Sequence, residues 1–541
     1  MRKSDYYEKM DKIINLPQFE KYQKPRKNAK HPVLKEEERV KDELKSLFES
    51  GKIDEALYEK LKPIGSQPAR LYGLAKVLKK DTPVRPVLSM PGSAYHRVAK
   101  YVADCLKAVP QCKINASSKD ICDKIKTVIL EEDEEVISLD VKSLYTNVPV
   151  MEAIEVCTGF LYNLPADQRP DIDRDTFVIL AKIASCNVIM STHDGYYYQK
   201  DGLAMGSPPA PHLANGWLSQ YDDTIRDGSK IYFRYMDDIL KEEKSRRCDE
   251  KLESNNKLHR NLGFTMEREH NSEIPVLDMK IMHDHETGKL SSTWYSKPTD
   301  TGLIMNFHAL APKRYKRSVV SGFVHRIYRA CSSWSLFHES LEKAKRILEK
   351  NQYSPAFYDP IIKQTIEKLV CPPEPVTTAE SEVPNNPSSK SEKFKLSIQY
   401  RGKCTEDFAR ALHKLQAPCM VVMTLRKLKT VLPSIKPPVD KMLRSGVVYH
   451  LRCPRCSACY VGSTNRHLQT RVKEHHQKPG PMKIHLAQCD TSVPEENIDV
   501  LQQTNKGENF LLTLEALHQR ERRPALNTKE EWKSRELTIK L

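Results

Sequence analysis

The sequence lacks a long apolar run. None approaches the roughly 20 residues that a membrane-spanning helix needs, and residues 1–7 (MRKSDYY) contain no apolar signal core. Upstream of Cys453, the cysteines also lack the spacing of a disulfide framework, as expected for reduced thiols. These absences argue against a membrane-spanning or secreted protein and indicate an intracellular one.

Negative charge is in the minority. The 87 lysines and arginines exceed the 71 aspartates and glutamates, which gives a net charge of +16. This excess favours a polyanionic partner through phosphate neutralisation and counterion release, although charge alone does not separate nucleic acid from an acidic membrane. With 541 residues, 39% of them hydrophobic, the chain can form roughly two to four domains with ample core.

Two adjacent carboxylates, Asp237 and Asp238, lie between the apolar runs of residues 232–240 (YFRYMDDIL). This pattern predicts that they occupy the tip of a tight hairpin. Neighbouring carboxylates repel each other, so they are best tolerated where a cation neutralises them, and Mg²⁺ or Mn²⁺ prefers oxygen ligands. Taken alone, such a pair is more often simple turn chemistry.

A third carboxylate and a glycine-containing loop favour the metal interpretation. The β-rich run at residues 135–141 (EVISLDV) places Asp140 near a strand end. Two-metal polymerisation needs about three such ligands around ions roughly 3.5–4 Å apart, one of which activates the attacking 3′-hydroxyl. Gly202 and Gly206 lie in residues 199–212 (QKDGLAMGSPPAPH), which form either a loop that a template or nucleotide can approach closely or an ordinary proline-rich turn.

In this order the segments resemble the palm of a reverse transcriptase, and specifically that of the Penelope-like retroelements. The motifs that carry the resemblance are residues 70–76 (RLYGLAK), 84–89 (VRPVLS), 138–149 (SLDVKSLYTNVP), 202–208 (GLAMGSP), 235–238 (YMDD) and 274–280 (IPVLDMK). The resemblance implies an RNA-directed DNA polymerase in which Asp140, Asp237 and Asp238 are catalytic and hold Mg²⁺ or Mn²⁺. The sequence departs from the family pattern at Ala75, Pro209 and Met236, which are not proposed ligands.

The resemblance also implies a nucleotide site. Lys76 and Arg85 would hold the incoming triphosphate, because ammonium and guanidinium groups neutralise phosphate oxygens. Tyr145 stands where the family has its sugar-sensing aromatic ring, which would clash with a ribonucleotide 2′-hydroxyl; the alternative is a core tyrosine. Gly206 belongs to the loop expected to contact the nucleotide.

The C-terminal region is similar to the GIY-YIG nuclease fold. Two short β-like runs, residues 446–449 (GVVY) and 460–462 (YVG), precede expected helices at residues 465–477 and 509–523. The resemblance implies that Tyr449 and Tyr460 belong to the catalytic surface, that Arg471 binds phosphate and that Glu515 holds one Mg²⁺. Phosphodiester cleavage needs these functions: an activated water, a cation and a metal for the leaving oxygen. Asn527 is expected to buttress the site.

Cys453 and Cys456 form a CxxC motif between the two β-like runs, a spacing that lets two thiolates reach one tetrahedral Zn²⁺. Endonucleases of Penelope-like elements carry cysteines at this place and histidines downstream. The resemblance therefore predicts a structural zinc site formed by Cys453, Cys456, His475 and His485, with Cys459, His476 and Cys489 as substitutes. Reduced, packed thiols are the alternative.

The expected fold class is α+β and multidomain: a right-hand polymerase with fingers, palm and thumb, followed by a small α/β GIY-YIG nuclease domain. The expected divisions are an N-terminal helical segment (1–65), fingers and palm (66–290), a thumb-like helical region (291–370), a flexible linker (371–393), a connector (394–440) and the nuclease domain (441–541).

The expected reaction is target-primed reverse transcription in the nucleus. The nuclease would nick target DNA, and the polymerase would extend the freed 3′-hydroxyl with deoxynucleoside triphosphates on a template RNA, without a membrane partner. Two other interpretations remain open: a decayed or domesticated copy that only binds nucleic acid, and a structure-specific endonuclease with an inactive palm.

Overall fold

The computed structural model describes residues 2–23, 30–77, 81–371, 394–415, 419–425 and 438–527. The predicted flexible linker, apart from Cys371, lies outside these residues. Helices and strands alternate irregularly along the chain. The helices are α1 (Lys3–Ile14), α2 (Pro32–Glu49), α3 (Glu55–Leu61), α4 (His96–Leu106), α5 (Ser118–Ile125), α6 (Leu144–Asn147), α7 (Val150–Tyr162), α8 (Arg174–Ser185), α9 (Ala210–Ser219), α10 (Asp222–Arg226), α11 (Cys248–Asn255), α12 (Lys313–Ala330), α13 (Trp334–Lys350), α14 (Pro355–Val370), α15 (Lys403–Lys414), α16 (Leu468–Gln477), α17 (Pro481–Gln488) and α18 (Glu508–Arg522). Among the described helices, none is long and apolar enough to cross a membrane.

The strands form five sheets in the described parts of the chain. They are β1 (Phe19–Lys21), β2 (Ala69–Ala75), β3 (Val84–Ser89), β4 (Glu134–Val141), β5 (Val188–Thr192), β6 (Gly195–Gln199), β7 (Tyr232–Tyr235), β8 (Asp238–Lys244), β9 (Phe264–Arg268), β10 (Glu273–Val276), β11 (Met279–Asp284), β12 (Lys289–Trp294), β13 (Phe394–Gln399), β14 (Cys419–Thr424), β15 (Val447–Arg452), β16 (Cys459–Thr464) and β17 (Ile498–Gln503).

The chain divides into two compact units, of which the first combines Met1–Ile114, Ser143–Tyr221 and Ile435–Lys540. Its larger sheet has the order β1-β6-β5-β2-β3. Strands β2 and β5 run parallel, and the other neighbours are antiparallel. Helices α4, α7, α8 and α9 belong to the same unit.

The expectation that residues 1–65 form a helical segment is wrong in one respect. Phe19 and its two followers form β1, which pairs with β6 and extends the sheet. Helix α1 buries Met10 and Ile14, and the Gly73 amide of β2 donates to the Tyr6 hydroxyl at 2.8 Å. The segment is therefore part of the five-stranded sheet, and a three-residue edge strand such as β1 gives little pattern in the sequence.

The C-terminal domain of the first unit contains the antiparallel sheet β16-β15-β17. The central strand β15 is buried over Val447, Val448, Tyr449 and Leu451, as expected for a strand covered on both faces. Helix α16 begins three residues later than predicted, and α18 matches the predicted helix to within one residue at each end. Leu468 and Val472 of α16 pack into the core with Tyr449.

The second unit combines Asn115–Lys142 with Asp222–Ser434. Its main sheet is antiparallel with the order β7-β8-β4-β9. The predicted strand at residues 135–141 is observed as β4, whose central residues Val136, Ile137 and Leu139 are buried. A second sheet, β10-β11-β12, is antiparallel.

Helices α12, α13 and α14 pack with β10, β11 and β12 in one core. In the predicted thumb, Trp294 and Phe323 are buried and contact each other edge to face, with ring centroids 5.8 Å apart. These two rings are therefore core residues and are not available for stacking on bases. The described part of the predicted connector forms β13, α15 and β14, with the two strands parallel.

Candidate functional site

The β7-β8 hairpin holds the adjacent carboxylates as the sequence predicted. Tyr235 pairs with Asp238, so Met236 and Asp237 form the two-residue turn. Met236 has a φ of +55°, the left-handed conformation that tight hairpin turns require. Asp237 therefore lies in the turn, and Asp238 is the first residue of β8.

Asp140 lies beside this pair. It is directly opposite Asp238 in the antiparallel register of β4 and β8, so the two side chains point to the same face of the sheet. The Val141 amide donates to the Asp237 carbonyl oxygen at 3.0 Å, which ties the turn to the end of β4. The three predicted carboxylates thus come together in the second unit.

The site has a strong requirement for positive charge. Burial, followed by repulsion from Asp237 and Asp140, raises the pKa of Asp238 to about 6, while Lys297 acts in the opposite direction. Three clustered carboxylates are the donor set that hard divalent cations prefer, and a bound cation would relieve their repulsion. The residues therefore fit Mg²⁺ or Mn²⁺. Lys297 was missed as a neighbour of this site because it is distant in sequence.

A buried ion pair contacts the turn of the hairpin. The Arg234 guanidinium contacts both carboxylate oxygens of Asp222, at 2.8 and 2.9 Å, and Nη1 donates to the Met236 carbonyl oxygen at 3.4 Å. The Arg234 side chain is 0% exposed and that of Asp222 is 15% exposed. This pair was not predicted. Its local signal in the sequence is an arginine inside an apolar strand.

The predicted triphosphate-binding residues lie in the first unit. Arg85 of β3 is opposite Leu74 of β2, and the Lys76 amide donates to the Pro83 carbonyl oxygen at 2.8 Å. Since side chains alternate along each strand, Lys76 and Arg85 lie on the same face of this two-stranded ribbon. Arg85 is exposed.

The glycine loop packs against the same ribbon. Gly206 has a φ of +103°, and a Cβ atom there would collide with the Leu88 carbonyl oxygen of β3. The Leu88 amide donates to the Met205 carbonyl oxygen at 2.7 Å. Tyr145, in α6, is half-buried, and its carbonyl oxygen accepts from the Leu203 amide of the loop at 2.6 Å.

In the C-terminal domain, the Tyr449 hydroxyl is at the centre of a second polar cluster. It lies 2.7 Å from His475 Nε2 and accepts from Arg471 Nε at 3.3 Å. The rings of Tyr460 and His475 lie 4.9 Å apart. Burial and Tyr460 raise the pKa of Tyr449, and burial together with Arg471 lowers the pKa of His475 to about 4, so His475 is neutral at pH 7.

Glu515 and Asn527 both form hydrogen bonds with β16. The Ser463 hydroxyl of β16 donates to Glu515 Oε2 at 2.6 Å. Asn527 pairs with the Val461 backbone through both side-chain atoms, at 2.9 and 2.7 Å. Asn527 therefore holds the end of the described chain against β16.

Four potential metal ligands converge elsewhere in this domain: Cys453, Cys456, His485 and Cys489. Their ligand atoms lie within 4.8 Å of one another, including 3.1 Å from Cys456 Sγ to His485 Nε2. Burial would raise the pKa of Cys453, but the Cys456 and Arg455 amides and His485 lower it to about 6, so a thiolate is favoured. Three sulfurs and one imidazole fit tetrahedral Zn²⁺.

The structure therefore corrects the prediction that His475 is a zinc ligand. The His475 ring contacts Tyr449 and Tyr460, and Cys489 is the fourth member of the cluster. Cys489 can join His485 because the two residues are four apart at the end of α17 and so lie on one helical face. Cys459 and His476, the other named substitutes, are not in the cluster.

Residues 77–269 match the family model described as "Reverse transcriptase (RNA-dependent DNA polymerase)". The match contains Asp140, Asp237 and Asp238, so the chain carries a reverse transcriptase domain. Domains of this family bind template RNA and nucleotides and generally use Mg²⁺ or Mn²⁺. Residues 303–363, which include α12 and α13, match a model described as "Animal helix-turn-helix domain". No curated protein sequence matches the chain.

Solved polymerases are among the structures similar to this chain. A telomerase from Candida albicans in complex with a fragment of telomeric RNA has a TM-score of 0.37 and 11% identity, over 56% of each chain. An apo telomerase from Candida tropicalis has a TM-score of 0.33 and 12% identity, over 56% of this chain and 62% of that chain. A Sicinivirus 3Dpol RNA-dependent RNA polymerase has a TM-score of 0.36 and 10% identity, over 58% and 71%. The chain thus spans little more than half the length of the first telomerase.

Proposed function

We propose that this protein is the RNA-directed DNA polymerase of a Penelope-like retroelement, coupled to a GIY-YIG endonuclease that nicks target DNA. The observation that carries the polymerase is the placement of Asp140 opposite Asp238, beside Asp237, within the region that matches the reverse transcriptase model. The nuclease is supported by the cluster around Tyr449 in the C-terminal domain.

At the polymerase site, Asp140, Asp237 and Asp238 would hold Mg²⁺ or Mn²⁺, which lowers the pKa of the primer 3′-hydroxyl and stabilises the leaving pyrophosphate. Lys76 and Arg85 would neutralise the triphosphate. Tyr145 would exclude ribonucleotides by contact with the 2′-hydroxyl, and the backbone at Gly206 would let the nucleotide approach closely.

At the nuclease site, Tyr449 would pass the proton of the attacking water to His475, whose Nε2 lies 2.7 Å from the tyrosine hydroxyl. Arg471 would offset the negative charge that develops on the phosphate, and Tyr460 would line the same surface. Glu515 would hold the divalent ion for the leaving oxygen. The Cys453–Cys456–His485–Cys489 cluster would hold a structural zinc that stabilises the loop between β15 and β16.

The coupled reaction is target-primed synthesis in the nucleus, where the target DNA is found. Residues 66–290 would supply fingers and palm, preceded by the N-terminal segment 1–65, and residues 291–370 would supply the thumb, residues 394–440 the connector and residues 441–541 the nuclease. The nick would leave a DNA 3′-hydroxyl, and the polymerase would extend it on template RNA with deoxynucleoside triphosphates.

Extension of a labelled DNA primer on an RNA template tests the polymerase. Full-length protein with Mg²⁺ should extend the primer, and Asp238→Ala should abolish extension. Asp249→Ala, which removes an exposed carboxylate of α11 in the same unit, is the matched control and should extend normally. Folded parent protein that makes no DNA, or Asp238→Ala protein that equals the parent, would refute the proposed activity.

A further inference from the structure

The first unit contains a polar cleft between two segments that are distant in sequence. Its volume is about 1020 Å³. One wall comes from residues 63–97, which include β2, β3 and the start of α4, and the other from residues 438–508 of the C-terminal domain. Neither catalytic cluster described above contributes a residue to the lining.

Buried contacts hold the two walls together at Gly65. His467 Nε2 lies 2.6 Å from the Ser66 carbonyl oxygen, and the Ser445 hydroxyl donates to the Gly65 carbonyl oxygen. Gly65 has a φ of +61°, and a Cβ atom there would collide with the Asn465 carbonyl oxygen. The close backbone approach shows that the cleft is a built feature of this unit and not a gap between loosely packed segments.

The lining is rich in positive charge. Arg70 and Arg97 come from the first wall, and Arg444 from the second. Arg97 Nη1 donates to the Lys62 carbonyl oxygen at 3.0 Å, which leaves its remaining N–H groups for a ligand. Among the described lining residues, Glu508 provides the only carboxylate.

Two buried polar atoms of lining residues, Ser93 Oγ and His96 Nδ1, have no hydrogen-bond partner within the protein. Ser93 is only 6% exposed. A buried polar atom without a partner costs about 1–3 kcal/mol, so these two atoms are suited to a partner outside the chain, such as water.

We propose that this cleft binds the phosphodiester backbone of a single-stranded nucleic acid. Its volume is that of a large ligand pocket, and its arginines match phosphate oxygens. Among the described lining residues, the one ring on which a base could stack is the imidazole of His96. The arginines therefore hold the strand chiefly by its backbone. This binding goes beyond the proposed function and requires neither catalytic reaction.

Salt-dependent binding in EDTA tests the proposal without catalysis. The probes are fluorescent 20-nucleotide oligothymidylate and oligouridylate, bound to full-length parent, Arg97→Ala, Arg444→Ala and the double variant. Each arginine that neutralises one phosphate contributes about 0.7 to the slope of log affinity against log salt. The double variant should therefore lose about 1.4 of slope. Arg174→Ala, an exposed arginine of α8 that pairs with Glu155, is the control and should leave the slope unchanged.

The two probes distinguish the sources of the backbone: a larger loss with oligothymidylate identifies a DNA strand, and a larger loss with oligouridylate an RNA strand. Equal slopes for parent and double variant with both probes would overturn the proposal. The proposal would also be overturned if deoxynucleoside triphosphate alone displaced the oligonucleotide from the cleft. If an arginine variant does not fold, photocrosslinking from p-benzoylphenylalanine placed at Asn505 in the cleft should capture the labelled strand, and the same group at Asp175 on α8 should not. Because metal is absent, an inactive polymerase or nuclease would not affect any of these outcomes.

Discussion

His475 Nε2 lies within hydrogen-bond distance of the Tyr449 hydroxyl, at 2.7 Å, although the two residues are 26 positions apart. Arg471 donates to the same hydroxyl from the other side, at 3.3 Å. The tyrosine is thus polarised between a cation and a neutral base. This arrangement gives His475 a role in the proposed nuclease that its position among the cysteines and histidines of the sequence did not indicate.

His475→Gln should lower the rate of DNA nicking by about 10²-fold, because the proton of Tyr449 loses its acceptor. His518→Gln is the control, since His518 lies on α18 and contacts Gln502 instead of Tyr449. Nicking of a labelled duplex by full-length protein with Mg²⁺ is the measurement. Equal rates for His475→Gln and the parent would show that Tyr449 does not act through this histidine.

Acid should destabilise the region around β15. The pKa of His475 is lowered to about 4 from its usual 6.5, chiefly by burial. The unfolded state therefore binds the proton more tightly, and stability falls as the pH drops from about 6.5 towards 4. At pH 5 the expected loss is about 2 kcal/mol. Hydrogen exchange of peptides covering β15, corrected for intrinsic rates, should show this loss between pH 7.5 and 5.0, and His475→Gln should reduce it. Identical pH dependence in the variant would contradict the assignment.

The local patterns of the sequence predicted the elements that carry the carboxylates. The β-rich run at residues 135–141 forms most of β4, and the apolar segments on both sides of Asp237 and Asp238 form the strands of a hairpin. Which residue of β4 faces Asp238 is a matter of strand register. The family pattern of three carboxylates indicated Asp140, whereas single-sequence periodicity does not define pairing between distant strands.

Long-range contacts could not be predicted in the same way. The ion pair of Arg234 with Asp222 depends on how α10 packs against β7. The presence of Cys489 in the metal cluster, in place of the predicted His475, depends on the orientation of α16. Both are set by tertiary packing. The spacing of His485 and Cys489 was the one local signal for the second case, because residues four apart share a helical face.

Asp238→Asn should stabilise the metal-free protein while it abolishes primer extension. The raised pKa of Asp238, about 6 against 3.8 for an ordinary aspartate, means that its ionisation costs stability as the pH rises through this range, and the full cost is present above pH 6. Since the group is half exposed, solvent screening reduces the gain at pH 8 to about 1 kcal/mol. Thermal unfolding in EDTA should show a higher midpoint for Asp238→Asn than for the parent. Asp249→Asn should leave the midpoint unchanged, and a lower midpoint for Asp238→Asn would contradict the electrostatic account.

Removal of Arg234 should destabilise the second unit. Arg234→Met leaves the carboxylate of Asp222 buried without its partner, which costs about 3–5 kcal/mol. The double variant Arg234→Met with Asp222→Leu should recover most of that loss, since neither charge is then buried alone. Urea unfolding followed by tryptophan fluorescence gives the comparison. A double variant as unstable as the single one would show that the pair does more than neutralise itself.

The metal cluster of the C-terminal domain predicts different effects on zinc content for substitution of His485 and of His475. Purified full-length protein should contain about one zinc per chain, as measured by mass spectrometry of the metal. Cys456→Ser, His485→Ala and Cys489→Ser should lower the zinc content, because each removes one of four ligands whose atoms lie within 4.8 Å of one another. His475→Ala should retain the metal, since its ring contacts Tyr449 and Tyr460 instead. Zinc lost from His475→Ala but kept in Cys489→Ser would restore the ligand set first expected from the sequence, whereas protein without zinc in any form would assign the cluster to packed, reduced thiols.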